Sequence, residues 1–198
     1  MKKIITFLVL LLTLGANAQL LIDDFKTGSL SNINFDIGET NPLFQTGNAI
    51  LGKTRRIHAK VNQNPFNQSI QLSIKNGLMA MTAAYDTRGT IYVGYGHDKN
   101  GNKPLNLDLG KYKFLKIEFA AKSTINGIYV TLFTGTSRAV YSKHVPAREG
   151  PMVFTIPFSE IKKIGEKFTF KDIDHIRFQF DSRSKTGCSM AIDKIWFQ

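Results

Sequence analysis

"FLKIEFAAKSTINGIYVTLFT", Phe114 to Thr134, decides the fold class. Leu115, Ile117, Phe119 and Ala121 fall on alternate positions of its first half, and Ile128, Val130 and Leu132 on alternate positions of its last part. Between the two runs, "TING" supplies turn formers. A period of two sends successive side chains to opposite faces, which is strand geometry, whereas a helix needs apolar residues every three or four positions. Both runs therefore read as half-buried strands, with one face on a core and one toward water.

The same period recurs along the chain. "IQLSIK" aligns Ile70, Leu72 and Ile74; "GTIYVGYG" aligns Ile91, Val93 and Tyr95; "LNLDLG" aligns Leu105, Leu107 and Leu109; "IRFQFD" aligns Ile176, Phe178 and Phe180. "MVFTIPF" repeats the pattern. Gaps such as "KNG", "DTRG" and "HDKNGNKP" carry turn residues. One stretch, "PFSEIKKIGEKF", predicts one or two helical turns, with Ser159 as N-cap, Ile161 and Ile164 at helical spacing and Gly165 as a stop. Many short strands without a long helix predict an all-β domain, either a β-sandwich or a closed barrel.

The ends are apolar runs broken by acids. "LLIDDF" carries Asp23 and Asp24, and "SMAIDKIWFQ" carries Asp193. An unpaired carboxylate inside a core costs several kcal/mol. The two ends are therefore expected to meet, with Asp193 leaving the core at a strand end. Calcium takes several oxygen ligands, so Asp24 and Asp193, with Asp23 beside them, are the candidate ligands for a structural Ca2+. The competing reading gives these acids backbone N–H partners or solvent.

Lys2 and Lys3, the run "IITFLVLLLTLG" and the small residues "ANA" form the pattern of a secretory signal peptide, cleaved after Ala18. The apolar run is short for a bilayer span. Residues 1–18 are thus expected to be a leader and residues 19–198 a single domain, secreted or periplasmic, with no membrane span. The chain carries 26 Lys and Arg against 15 Asp and Glu, only two of the cations lying in the leader. Such a surface favours acidic partners: an anionic polysaccharide, an anionic envelope or nucleic acid. A secreted location makes nucleic acid the weakest of these. The single cysteine, Cys188, excludes an intrachain disulfide and reads as a small buried hydrophobe.

Outward strand positions are the informative ones. Glu118, Tyr129, Phe133, Arg177 and Gln179 combine flat apolar surface with planar polar groups, the two requirements of sugar recognition. Against this stands ordinary cross-strand pairing, worth about 0.2–1 kcal/mol per pair. Tyr92, Tyr141 and Trp196 are weaker candidates, and Trp196 reads as core. "GYGHDKNGNKP" is a binding loop or an ordinary hairpin connection. For a polysaccharide lyase, Arg138, Tyr141, His144 and Arg148 offer charge neutralisation and a base. Hydrolase chemistry would want two facing carboxylates, and the strand acids form no convincing pair. The four histidines are scattered singly, which speaks against zinc.

Five segments, "IDDF", "LGKTRRI", "LNLDLGKYKFLKIEF", "FTIPFSEI" and "AIDKIWF", occur in an order that resembles the galactose-binding-like jelly rolls near the family 11 carbohydrate-binding modules and the complex I assembly factor domain. Where that group usually has a double glycine before its arginine, this chain has Gly52-Lys53-Thr54 before Arg55. The resemblance implies a two-sheet antiparallel β-sandwich of jelly-roll type. It also implies glycan binding on a sheet face without chemistry, and a structural calcium where the chain ends meet. The expected function is a secreted, non-catalytic carbohydrate-binding protein for an acidic polysaccharide. An envelope structural or adaptor protein binding another protein is the alternative, and a small β-jelly-roll lyase is a third.

Overall fold

The structure is a computed structural model that describes residues 19–121, 123–125, 127–145, 149–182 and 187–198. The leader and Arg148 lie outside the described residues. Two antiparallel sheets face each other. The back sheet runs in the order β14 (Met152–Pro157), β11 (Phe114–Phe119), β17 (Cys188–Phe197), β7 (Leu78–Ala83), β6 (Ile70–Lys75) and β2 (Leu30–Phe35), with β1 (Leu20–Asp23) also pairing β17. The front sheet runs β15 (Lys162–Ile164), β13 (Ser137–His144), β12 (Gly127–Thr134), β16 (His175–Ser182), β8 (Arg88–Tyr95), β5 (Thr54–Gln63) and β3 (Gly38–Glu39). β4 (Leu43–Thr46) pairs β5 as well. A small hairpin, β9 (His97–Asp98) with β10 (Gly101–Asn102), stands beside the front sheet. This is the two-sheet antiparallel β-sandwich of jelly-roll type read from the sequence. No helix among the described residues is long and apolar enough to cross a membrane.

The inward faces are the alternating apolar sets. Ile91, Val93, Leu115, Ile117, Phe119, Ile128, Val130, Leu132, Ile176, Phe178 and Phe180 are all fully buried in one core. Each such side chain contributes about 1.5–3 kcal/mol through burial. Three expectations need correction. Ala121 is exposed beyond the end of β11. "LNLDLG" is not a strand; it makes a single bridge, Leu107 to Ile173, and only Leu109 is fully buried. The expected helical turns shrink to a three-residue 3-10 turn, Phe158–Glu160, because Lys162–Ile164 pairs with β13 as an edge strand.

The chain ends do meet, β1 lying against β17. Asp193 marks a β-bulge: Glu118 faces Lys194 while Phe119 faces Ile192, leaving Asp193 as the extra residue. A bulge shifts strand parity by one. Ile192 and Ile195 can therefore both point inward, and half-buried Asp193 stays out of the core. The acid that enters the core is Asp23. Its carboxylate accepts hydrogen bonds from Arg55 Nη1 (2.5 Å), the Tyr95 hydroxyl (2.9 Å) and the Phe25 backbone N–H (2.9 Å). Arg55 also donates to Gln45 Oε1 and to the Thr27 and Gly28 carbonyls, and it lies 5.2 Å from the centroid of the Phe25 ring. Arg55 and Asp23 have no exposed surface. Burying both charges is tolerated because nearly every polar atom finds a partner.

Trp196 is buried but lies on the outward side of β17, with Lys194 Nζ 4.7 Å from its ring centroid. It is absent from the inter-sheet core that holds its neighbours Ile195 and Phe197.

Candidate binding groove

Strand β5 shows how the core and the site are built together. Its inward residues are Arg55, Ile57, Ala59 and Val61, and its outward residues are Arg56, His58 and Lys60. Arg55 stands opposite Tyr95 of β8 in register, and both bond to Asp23. One residue further, Arg56 stands opposite Gly94 on the outward face, and His58 opposite Tyr92. The buried Asp23–Arg55–Tyr95 group thus holds the register of the strand pair that forms the groove floor.

Across β8, β16 and β12, the outward neighbours follow in line. Gly94 faces Arg177, Tyr92 faces Gln179, Arg177 faces Thr131, Gln179 faces Tyr129 and His175 faces Phe133. A groove of about 230 Å³ opens here, lined by Arg56, His58, Tyr92, Gly94, His97, Asn102, Phe133, Gly135, His175 and Arg177. Gly94 forms the floor because a side chain there would fill the space. His97 and Asn102 come from the β9–β10 hairpin, which leaves β8 through Gly96 at φ +94°. A Cβ at Gly96 would lie 2.4 Å from the Asp174 carbonyl oxygen, so only glycine makes this turn and delivers His97 to the groove.

Arg177 is the centre of the groove. Its guanidinium lies 5.5 Å from the Phe133 ring centroid and 5.9 Å from that of Tyr92, both within cation–π range. Its Nε is buried with no hydrogen-bond partner. Burial presses its pKa down; the neighbouring charges of Arg138 and Arg56 act the same way, and Tyr92 opposes them. The guanidinium nevertheless stays cationic. His58 stacks on Tyr92 with ring centroids 4.4 Å apart and planes 4° from parallel. His97 and His175 lie 4.3 Å apart, centroid to centroid. Burial, followed by the charges of His175, Arg56 and Arg177, holds His97 down to about 4. Burial also lowers His58 and His175. The three imidazoles are therefore neutral at pH 7, and His97 Nδ1 and His175 Nε2 are buried without partners. An unmade hydrogen bond on a buried polar atom costs about 1–3 kcal/mol. Among the described residues, no carboxylate lines the groove.

The five sequence-derived candidates do not share one groove. Phe133 and Arg177 line it, while Gln179 and Tyr129 stand on the same face one line further along. Glu118 is on the other sheet, between Val153 of β14 and Lys194 of β17. The chain crosses from back sheet to front sheet between β11 and β12, so outward residues that are close in sequence end on opposite sides of the sandwich. Tyr92, a weaker candidate, proves central. Arg56 and His58 are not among the sequence candidates; His97 belongs to the "GYGHDKNGNKP" loop, read as a binding loop or a hairpin connection, and His175 continues the outward row of Arg177 and Gln179. The signal for Arg56 and His58 was the alternation in "RRIHAKV", where polar residues interleave with Ile57, Ala59 and Val61. For His97 the signal was the loop itself, and the hairpin fold-back is what brings the ring to the groove.

The lyase set does not assemble. Tyr141 is buried on the inward face of β13, packed edge-on to Phe154, and its hydroxyl is pushed up to about 12 by burial and by Glu160. Arg138 and His144 point the other way, and Arg148 lies outside the described residues. Cys188 is buried with its thiol pushed up to about 11, which disfavours a nucleophilic thiolate. For calcium, Asp24 and Asp193 do not fit. Among the described residues no three His, Cys, Asp or Glu side chains converge, and Asp24 instead bonds the Lys26 backbone N–H and lies 3.7 Å from Lys26 Nζ.

No protein-family model and no curated protein sequence matches the chain. Among solved structures it is similar to a family 11 carbohydrate-binding module from Clostridium thermocellum in complex with a β-1,3-1,4-mixed-linked tetrasaccharide. That match has 14% identity, covers 92% of this chain and 96% of the other, and has a TM-score of 0.43. A second is the family 11 module of the cellulosomal cellulase Lic26A-Cel5E of Clostridium thermocellum, at 13% identity, 92% and 95% coverage and a TM-score of 0.45. PfGH50B is similar over 71% of this chain and 22% of its own, at 12% identity and a TM-score of 0.42. Likeness at this level transfers no residue and no ligand.

Proposed function

We propose that the protein binds an acidic polysaccharide in the front-sheet groove without transforming it, and that residues 1–18 direct it out of the cytoplasm. The observation that carries this reading is Arg177. A guanidinium held between two aromatic rings, with a second arginine nearby, suits a carboxylate-bearing sugar. Phe133 takes the sugar's apolar face and the guanidinium takes its anion, a fork that matches carboxylate oxygens. The neutral imidazoles of His58, His97 and His175 offer hydrogen bonds to hydroxyls without adding charge. The lining, among the described residues, holds no pair of carboxylates for glycoside hydrolysis.

Calorimetric titration with oligogalacturonate and oligomannuronate, against neutral mixed-linked glucan, tests the reading. Arg177→Ala is expected to weaken uronate binding about ten- to hundredfold, the range of a lost charge-assisted hydrogen bond of about 1.5–3 kcal/mol. Equal affinity for neutral glucan, or no effect of Arg177→Ala, refutes it. Ultraviolet absorbance from an unsaturated product would show elimination and overturn the non-catalytic part.

A further inference from the structure

Register extends the groove into a longer line. Arg56, Gly94, Arg177, Thr131, Val140 and Lys162 are successive neighbours across β5, β8, β16, β12, β13 and β15. All occupy outward positions, since directly opposed residues share a face. The line runs perpendicular to the strands. Five interstrand steps at about 4.8 Å make it about 24 Å long, room for roughly five sugar units. Its floor is small where the strands are central, at Gly94 and Thr131. Tyr92 and Tyr129 flank it on one side, and Phe133 and Arg138 on the other.

No ion pair among the described residues holds a cation of this line. The pairs lie elsewhere, at Asp23–Arg55, Asp24–Lys26, Asp86–Arg88 and Glu160–Lys143. Arg138 and Lys162 are exposed. Arg56 and Arg138 both act on Arg177 electrostatically, so the three guanidiniums share one field. Like charges brought together without counter-charges destabilise a fold unless something else selects for them. A single small anion would need only Arg56 and Arg177. The continuation through Arg138 to Lys162 suits an extended ligand with repeated charges.

We infer that the front sheet holds a linear polyanionic sugar chain across its strands, with successive carboxylates or sulfates meeting Arg56, Arg177, Arg138 and Lys162. This rests on the groove being the glycan site. The test is a length series, oligogalacturonates from disaccharide to octasaccharide, with sulfated galactan oligomers in parallel, on the wild type and on Arg138→Ala with Lys162→Ala. Both substituted residues are exposed, so folding is unaffected. Affinity is expected to rise with length to about the pentamer and then level. The double variant is expected to bind the hexasaccharide roughly tenfold more weakly, the scale for two exposed charge contacts, and the disaccharide about twofold at most, since Arg138 reaches that ligand only through its field at Arg177. Whichever series shows the larger loss identifies the anion. If disaccharide and hexasaccharide bind equally, or the variant weakens both alike, the extended line is refuted and the groove stands. If neither series binds at any length, the groove reading falls, and the line with it.

Discussion

Arg55→Met is the most informative perturbation of the fold. Methionine fills much of the space, so the loss is chiefly electrostatic. It removes the partner of Asp23 Oδ2 at 2.5 Å and the donors to Gln45, Thr27 and Gly28. Breaking one side of a buried pair costs about 3–5 kcal/mol, because the remaining charge is left uncompensated. For a domain of this size, about 1 kcal/mol shifts Tm by about 2–4 °C, so the expected fall is roughly 6–20 °C. The pH dependence gives a second readout. Asp23 is raised above 3.8, burial outweighing the Arg55 charge, the Phe25 N–H, the Arg55 hydrogen bond and the Tyr95 hydroxyl. A carboxyl raised in the folded state binds its proton more tightly there. Its stabilising contribution is complete below 3.8 and is lost as pH rises through the folded value. Deleting Arg55 removes the largest opposing cause and pushes Asp23 further up. The gap between wild type and variant should therefore be small in acid and full at neutral pH. Urea melts across that range measure it. A neutral-pH gap below about 1 kcal/mol, or one that does not change with pH, would refute the reasoning. Adding Asp23→Asn to Arg55→Met should restore part of the loss.

Gly94→Val separates site from fold. A Cβ at Gly94 meets nothing nearer than the Ile176 carbonyl oxygen at 3.8 Å, so stability should stay within about 1 kcal/mol while the filled floor abolishes glycan binding. Unchanged binding with an unchanged melt would place the ligand elsewhere. His97 should titrate near 4 in the free protein, followed by NMR of its imidazole protons; a midpoint near 6.5 would contradict its burial beside two arginines. Because its folded value is depressed, the stability it contributes is present above 6.5 and lost as pH falls through about 4. An anion in the groove raises that midpoint, so uronate affinity should increase as pH falls toward about 4, with proton uptake visible by calorimetry in buffers of different ionisation enthalpy.

Strand alternation was legible because it is local. A side chain's face depends only on parity along its own strand, and parity is plain where Leu115, Ile117 and Phe119, or Ile128, Val130 and Leu132, repeat so regularly. Parity also marked Tyr129, Phe133, Arg177 and Gln179 as outward. It failed at Asp193, where a bulge adds one residue and resets the count. It could not show that Asp23 is the acid that enters the core, since the partner, Arg55, lies 32 residues away.

The sequence by itself therefore determined that the chain is all-β, most of the apolar residues that face its core, and that its charge balance is basic. Tertiary structure alone decided which outward residues are neighbours. Glu118 and Tyr129 stand eleven positions apart and end on opposite sheets, because the chain crosses the sandwich between them. His58, His97 and His175 look solitary in the sequence and meet in one groove, because strand register and the Gly96 turn bring them together. Face is a property of one strand; adjacency is a property of the sheet, and it exists only once the strands have paired.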